Sequence, residues 1–227
     1  MVLELLKNFI KLGHLRINEN QELFINKENI VLYFVPELIW ENYLNQKEFG
    51  LSYQINMYLA GKIRSYTFLE NGEGVLLKGV PRAVNVCIDA MNSFGFGKFE
   101  AKKISESEKF LYITCKSSIA RSIKNTFGHQ TTPVDFMYAG LFAGALEYYA
   151  KERIYCIETN CISQKETPSC EFIAGTEQKI IEYLEKFSPN KIDYAKKLIA
   201  EIGKKENKLV PNGMSDISKL TINWGQK

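Results

Sequence analysis

The chain has 227 residues, of which 45% are hydrophobic and 24% are charged, the composition of an ordinary globular domain. Its 29 basic and 26 acidic residues give a net charge of +3 and are scattered along the sequence, which gives no reason to propose nucleic acid as a partner. The longest apolar stretch, residues 134–146, falls short of the ~20 residues that cross a bilayer, and the amphipathic residues 1–12 lack a signal-peptide cleavage site. We therefore expect a cytoplasmic protein whose five cysteines are thiols or metal ligands.

The first third of the chain predicts two short strands followed by two helices. Residues 23–26 and 29–35 are rich in the β-branched and aromatic side chains that strands favour. Pro36 then opens a helix, and a second stripe of helical spacing covers residues 51–59. Residues 69–74 have the composition of a turn.

The middle of the chain predicts a hairpin between helices. The predicted elements are a helix from Pro81, strands at 98–104 and 109–116, a helix at 117–125 capped by Ser117 or Ser118, and a helix at 134–151. The last of these helices has a face of small residues, namely Ala139, Gly140, Ala143 and Gly144. Such a face allows a second backbone to approach closely or leaves room for a ligand, and we favour close packing.

The last third predicts two more strands, at 153–158 and 170–174, and two helices, at 177–187 and 191–202, with Gly203 as the stop. The pattern indicates an α/β protein of the α+β type, with an antiparallel sheet of about four to five strands packed with helices. We expect a ligand-binding domain at 1–175, with its core motifs at 80–175, and a helical extension with a tail at 176–227.

The segment with the clearest chemistry lies between residues 156 and 170. Glu158 ends a predicted strand, Cys161 lies in the loop beyond it, and Cys170 begins the returning strand, so a hairpin mouth brings the three together. Thiolates are soft ligands that suit zinc, and a carboxylate can complete the shell. Cys156 lies two positions before Glu158 and therefore points to the same face. Buried core cysteines and a redox pair are the alternative interpretations, and we assign Cys87 and Cys115 to the core.

Three stretches of the sequence resemble the 4-vinyl reductase domain family. They are Asn92-Ser-Phe-Gly95-Phe-Gly97, then Cys115-Lys-Ser-Ser-Ile-Ala120, and then Pro133-Val-Asp-Phe-Met-Tyr-Ala-Gly140-Leu-Phe-Ala-Gly144 followed by Glu158-Thr-Asn-Cys161 and Ser169-Cys170-Glu-Phe172. Together they cover residues 80–174.

This resemblance implies a fold similar to a transport-complex subunit that buries an acyl chain, and to the sensor domains of aromatic-responsive bacterial activators. It also implies binding of small hydrophobic molecules and a zinc ion held by a Cys, a Glu and two further Cys. The matching positions here are Asp135, Glu158, Cys161 and Cys170, so Asp replaces the first Cys. Carboxylates ligate zinc. Cys156 or His129 are the alternatives for the fourth ligand.

Three functions are consistent with these patterns. The first, which we favour, is a binding or sensing domain for a hydrocarbon, aromatic or acyl ligand, with structural zinc. Its pocket residues would be Phe136, Tyr138, Phe142 and Tyr149, although each also suits core packing. The second is a vinyl reductase acting on a tetrapyrrole, but Gly95-Phe-Gly97 is too short for a nicotinamide motif. The third is a dimeric interaction scaffold. We expect a homodimer that does not itself bind DNA and acts through a separate effector protein.

Overall fold

The structure is a computed structural model that describes residues 15–17, 23–25, 28–30, 35–71, 79–93 and 95–210. The amphipathic residues 1–12 and the tail after residue 210 lie outside the described residues. Among the described helices, none combines the length and the hydropathy needed to cross a bilayer.

The described residues form two antiparallel sheets. The first joins the three short strands β1 (Leu15–Ile17), β2 (Leu23–Ile25) and β3 (Glu28–Ile30) in sequence order. The second has four strands in the order β4-β5-β7-β6, with β4 at Gly97–Ser105, β5 at Phe110–Ser117, β6 at Tyr155–Asn160 and β7 at Cys170–Gly175. This four-stranded antiparallel sheet, packed with helices, confirms the predicted fold class.

Six helices are described. They are α1 (Val35–Asn71), α2 (Val80–Ser93), α3 (Ser118–Phe127), α4 (Phe136–Ala150), α5 (Glu177–Phe187) and α6 (Ile192–Leu209), and a short 3-10 turn at Pro189–Lys191 precedes α6. Gly50 has a φ of 51° and a ψ of −129°, which breaks α1 into the two helices that the sequence predicts. The turn predicted at residues 69–74 is wrong at its start, because Leu69 is buried and α1 continues through Asn71.

Helices α1 and α4 cross at very close range because glycines line the contact. A Cβ atom added to Gly140 would overlap the backbone oxygen of Tyr58, and one added to Gly61 would overlap the backbone oxygen of Met137. Gly144 meets the backbone of Lys62 in the same way. The small-residue face of α4 is therefore a close helix contact, as predicted.

The last helix is longer than its sequence pattern suggests. The predicted stop at Gly203 is wrong, because α6 continues to Leu209 and buries Ile202 and Glu206. Helix propensity is a weak prior that tertiary packing overrides. Gly203 packs there against Tyr155, whose hydroxyl lies 3.2 Å from where a Cβ would stand.

Candidate metal centre

Four acidic or thiol side chains from distant parts of the chain meet at one end of the four-stranded sheet. Asp135 lies just before α4, Glu158 lies in β6, Cys161 follows β6 directly, and Cys170 is the first residue of β7. Each contributes one potential ligand atom, these atoms all lie within 4.8 Å of one another, and all four residues are buried. We call these four residues the acidic thiol cluster.

Asp135 occupies the N-cap position of α4 but does not cap the helix with its side chain. An N-cap aspartate ordinarily accepts a hydrogen bond from the first turn of its helix. Here Oδ1 instead accepts a hydrogen bond of 3.0 Å from the hydroxyl of Ser117, at the end of β5. The backbone N–H of Asp135 donates to Glu158 Oε2 at 3.2 Å. The carboxylate is thus directed into the cluster at the cost of a helix cap.

The hairpin between β6 and β7 positions the two thiols. A register irregularity lies between Glu158 and Asn160, just before Cys161. Cys161 Sγ lies 3.0 Å from the hydroxyl of Ser163, and the backbone N–H of Ile162 donates to Cys170 Sγ at 3.4 Å. Hydrogen bonds of this kind orient metal ligands and fix their protonation.

Two oxygens of the cluster have no hydrogen-bond partner among the described residues. They are Asp135 Oδ2 and Glu158 Oε1, and the second oxygen of each carboxylate is held by the contacts given above. A buried polar atom without a partner costs free energy, and native structures contain few of them. A cation between the four side chains would supply the partner that both oxygens lack.

The pKa values of the cluster reflect this crowding of acidic groups. Burial, helped by the negative charge of Cys161, raises the pKa of Asp135 to about 8. Burial and the charges of Cys161 and Asp135 also raise the pKa of Glu158 well above its usual value. Burial acts against the Cys161 thiolate, but its hydrogen bonds, first of all the one from Cys170, outweigh burial and lower the pKa of Cys161 to about 6. The hydrogen bond to Cys161, together with burial, raises the pKa of Cys170.

The donor set fits a zinc ion. Zinc accepts thiolate and carboxylate ligands in a tetrahedral shell, and binding of the ion displaces their protons. Zinc bond lengths place such ligand atoms roughly 3.3 to 3.8 Å apart, so a spread of up to 4.8 Å has to contract by about 1.5 Å at most. Four protein ligands would leave no open position on the ion for water or substrate.

The two alternative fourth ligands lie outside the acidic thiol cluster. Cys156 is buried in β6, where burial and then the charge of Glu158 raise its pKa. The side chain of His129 is 53% exposed, and its Nε2 lies 3.6 Å from Glu166. Among the described residues, Asp135 belongs to the group whose potential ligand atoms lie within 4.8 Å of one another, and its role as the fourth ligand stays a prediction.

The residues predicted to line a ligand pocket lie in or beside the core. Phe136, Tyr138 and Phe142 are buried, and Tyr149 is partly buried. The ring of Phe99 packs 5.1 Å from that of Tyr138 and 5.9 Å from that of Phe142. The hydroxyl of Tyr138 is buried and has no hydrogen-bond partner in the described part of the chain. These positions suit core packing, and a role in binding a ligand stays a prediction.

A buried ion cluster was not predicted from the sequence. The side chain of Lys62 is fully buried, with Nζ at 2.8 Å from Glu147 Oε2 and at 2.9 Å from Glu206 Oε2. These three residues connect α1, α4 and α6. The sequence does contain one indication that Lys62 is buried. It lies four residues after Tyr58 and seven before Leu69, which is the spacing of the buried face of α1.

Comparison with known proteins identifies the fold but no family. No family model matches the sequence, and no curated protein matches it at a significant level. Among solved structures, the phenol-responsive sensory domain of the transcription activator PoxR, solved with phenol, is similar with a TM-score of 0.61 and 13% identity. That match covers 77% of this chain and 89% of the PoxR domain. A trafficking protein particle complex subunit 3 from Naegleria fowleri, covalently bound to palmitic acid, matches with a TM-score of 0.42 and 12% identity over 62% of this chain and 93% of that one.

Proposed function

We propose that this chain is a small-molecule-binding sensory domain of the 4-vinyl reductase type, with a structural zinc ion held by Asp135, Glu158, Cys161 and Cys170. The observation that carries the proposal is the buried acidic thiol cluster, in which both carboxylates keep one oxygen without a partner among the described residues. The likeness in fold to a phenol-responsive sensory domain supports the assignment to sensing.

The zinc ion would act as a clasp and not as a catalyst. Its ligands come from the start of α4 and from both strands of the β6–β7 hairpin, so the ion would fix three elements relative to one another. Four protein ligands close a zinc shell, whereas catalytic zinc keeps one position open. The ion would therefore supply stability and pre-organisation to the fold around the ligand.

The aromatic layer between α4 and β4 is the place that we propose for a neutral, mostly apolar ligand. Phe99, Tyr138 and Phe142 form it, and the unpartnered hydroxyl of Tyr138 offers one polar anchor. Binding sites for small molecules combine such apolar walls with few polar groups. The homodimer, the separate effector protein and the cytoplasmic location stay predictions.

Two measurements on one set of proteins test the proposal. Elemental analysis of the purified chain should find about one zinc per chain, as a single four-ligand site requires. Cys161→Ser should lose the metal, and Cys87→Ser, a thiol outside the cluster, should keep it. Absence of metal from the wild type, or its retention in Cys161→Ser, would contradict the zinc site.

Ligand binding is tested with phenol and toluene, which differ by one hydroxyl. Tyr138→Phe should lower the affinity for phenol by about two- to tenfold, because one hydrogen bond contributes about 0.5 to 1.5 kcal/mol. The affinity for toluene should not change. Equal effects on both ligands would refute the role of the hydroxyl. Failure of both ligands to bind the wild type would refute the aromatic layer as the site.

A further inference from the structure

A pocket of about 400 Å³ lies apart from the aromatic layer, between α1, α6 and the segment that leads into α4. It opens beside Gly50, where the break in α1 turns the helix. Pockets of about 300 to 1,000 Å³ accommodate small molecules. None of the four residues predicted to line the ligand site contributes to this pocket.

The charges around the pocket have one sign. Lys47 of α1 and Lys197 of α6 line it, and none of the described residues that line it is acidic. His129 also lines it, and its Nε2 lies 3.6 Å from Glu166. A pocket with this balance favours an anion.

The remaining walls combine apolar surface with fixed polar groups. Tyr43, Leu51, Tyr194 and Leu198 provide apolar and aromatic surface. The amides of Gln46 and Gln54 both donate to the hydroxyl oxygen of Thr132, at 2.7 and 2.9 Å. Gln54 is only 5% exposed, which fixes this wall in one conformation. The ligand that matches such walls has an apolar body as well as a negative group.

We propose that this pocket binds a small monocarboxylate with an apolar body, held by Lys47 and Lys197 at its carboxylate and by Tyr43 and Tyr194 at its body. The site is separate from the aromatic layer and has a different ligand chemistry. It requires neither the zinc ion nor binding of a neutral ligand.

Titration calorimetry with benzoate, benzamide and acetate tests each part of the proposal. Benzamide has the shape of benzoate without its charge, and acetate has the charge without the ring. Benzoate should bind at least about tenfold more tightly than either, because the lysines and the apolar walls each favour it. Equal affinity for benzamide, equal affinity for acetate, or no binding of benzoate would overturn the proposal.

Variants of the two lysines test where benzoate binds. The double variant Lys47→Gln with Lys197→Gln should lower the affinity for benzoate by about tenfold, since two exposed ion pairs contribute up to about 1 kcal/mol each. Lys196→Gln, an exposed neighbour on α6 that does not line the pocket, should bind benzoate like the wild type. Unchanged affinity in the double variant would refute the site.

Tyr138→Phe separates this inference from the proposed function. It should leave benzoate affinity unchanged, because Tyr138 does not line the pocket. If Tyr138→Phe weakens benzoate and the lysine variant does not, benzoate binds in the aromatic layer, so the pocket proposal fails while the proposed function stands. If neither phenol nor toluene binds, but the lysine double variant weakens benzoate binding, the aromatic layer fails as a ligand site and the pocket proposal stands.

Discussion

Asp135→Asn should destabilise the protein when zinc is bound but should not destabilise it when the metal has been removed. The substitution keeps the shape of the side chain and can keep the hydrogen bond from Ser117, but it removes the negative charge. With zinc bound, the variant lacks a charged ligand and should be less stable than the wild type. Without zinc, the variant removes one acidic group from a buried cluster of four, and it should be as stable as the wild type or more so.

The size of the effect follows from linkage. Loss of a supporting residue around a metal typically lowers metal affinity about 10- to 100-fold, and loss of a direct ligand should reach at least the upper value. In excess zinc, a hundredfold loss of affinity removes about 2.7 kcal/mol of stabilisation. For a chain of this length, each kcal/mol moves the melting temperature by about 2 to 4 °C, so the expected fall is about 5 to 11 °C.

Differential scanning calorimetry in excess zinc and in excess chelator measures the change in melting temperature in each condition. The matched control is Asp89→Asn, because Asp89 is exposed on α2 and should change the melting temperature by less than about 2 °C in either condition. A wild-type melting temperature that is the same in excess zinc and in excess chelator would refute a structural metal. A fall in the melting temperature of Asp135→Asn that has the same size with and without zinc would contradict Asp135 as a metal ligand.

Two further predictions concern the packing of α1. Lys62→Met should lower the free energy of unfolding in urea by about 3 to 5 kcal/mol, because it leaves the buried carboxylates of Glu147 and Glu206 without their shared cation. Equal stability of this variant and the wild type would contradict this account. Gly140→Ala should lower the free energy of unfolding by about 1 to 3 kcal/mol or more, because the added methyl group meets rigid backbone. In the control Gly203→Ala the methyl group meets a movable hydroxyl, so its stability should stay within about 1 kcal/mol of the wild type. Similar losses in both glycine variants would argue against the close helix contact.

The acidic thiol cluster could be predicted in part from the sequence because three of its members are close along the chain. Glu158, Cys161 and Cys170 span one hairpin, and strand ends separated by a short loop must lie together in space. Asp135 is 23 residues before Glu158, and no local pattern connects the two. Only the resemblance to a family associated that position with the other three.

The features that the sequence did not predict depend on contacts between distant segments. Lys62 and Glu206 are 144 residues apart, and nothing in the sequence around either residue specifies the other. The extension of α6 past Gly203 has the same origin, because the burial of Glu206 beside Lys62 outweighs the stop signal of a glycine. The proposed carboxylate pocket likewise combines α1, α6 and the segment before α4, which are separate in sequence.

Hydrogen bonds join the loop beside the proposed metal centre to one wall of the proposed carboxylate pocket. The backbone N–H of Gln130 donates to the oxygen of Ser163 at 2.8 Å, and the amide of Gln164 donates to the oxygen of Thr131 at 2.9 Å. Thr131 lines the pocket, and Ser163 contacts Cys161 of the acidic thiol cluster. A metal that orders the loop after Cys161 therefore also orders the pocket wall, so a carboxylate ligand loses less conformational entropy on binding. Because such coupling is reciprocal, the carboxylate would strengthen metal binding by the same factor, and a sensor built in this way would respond to both ligands through one loop.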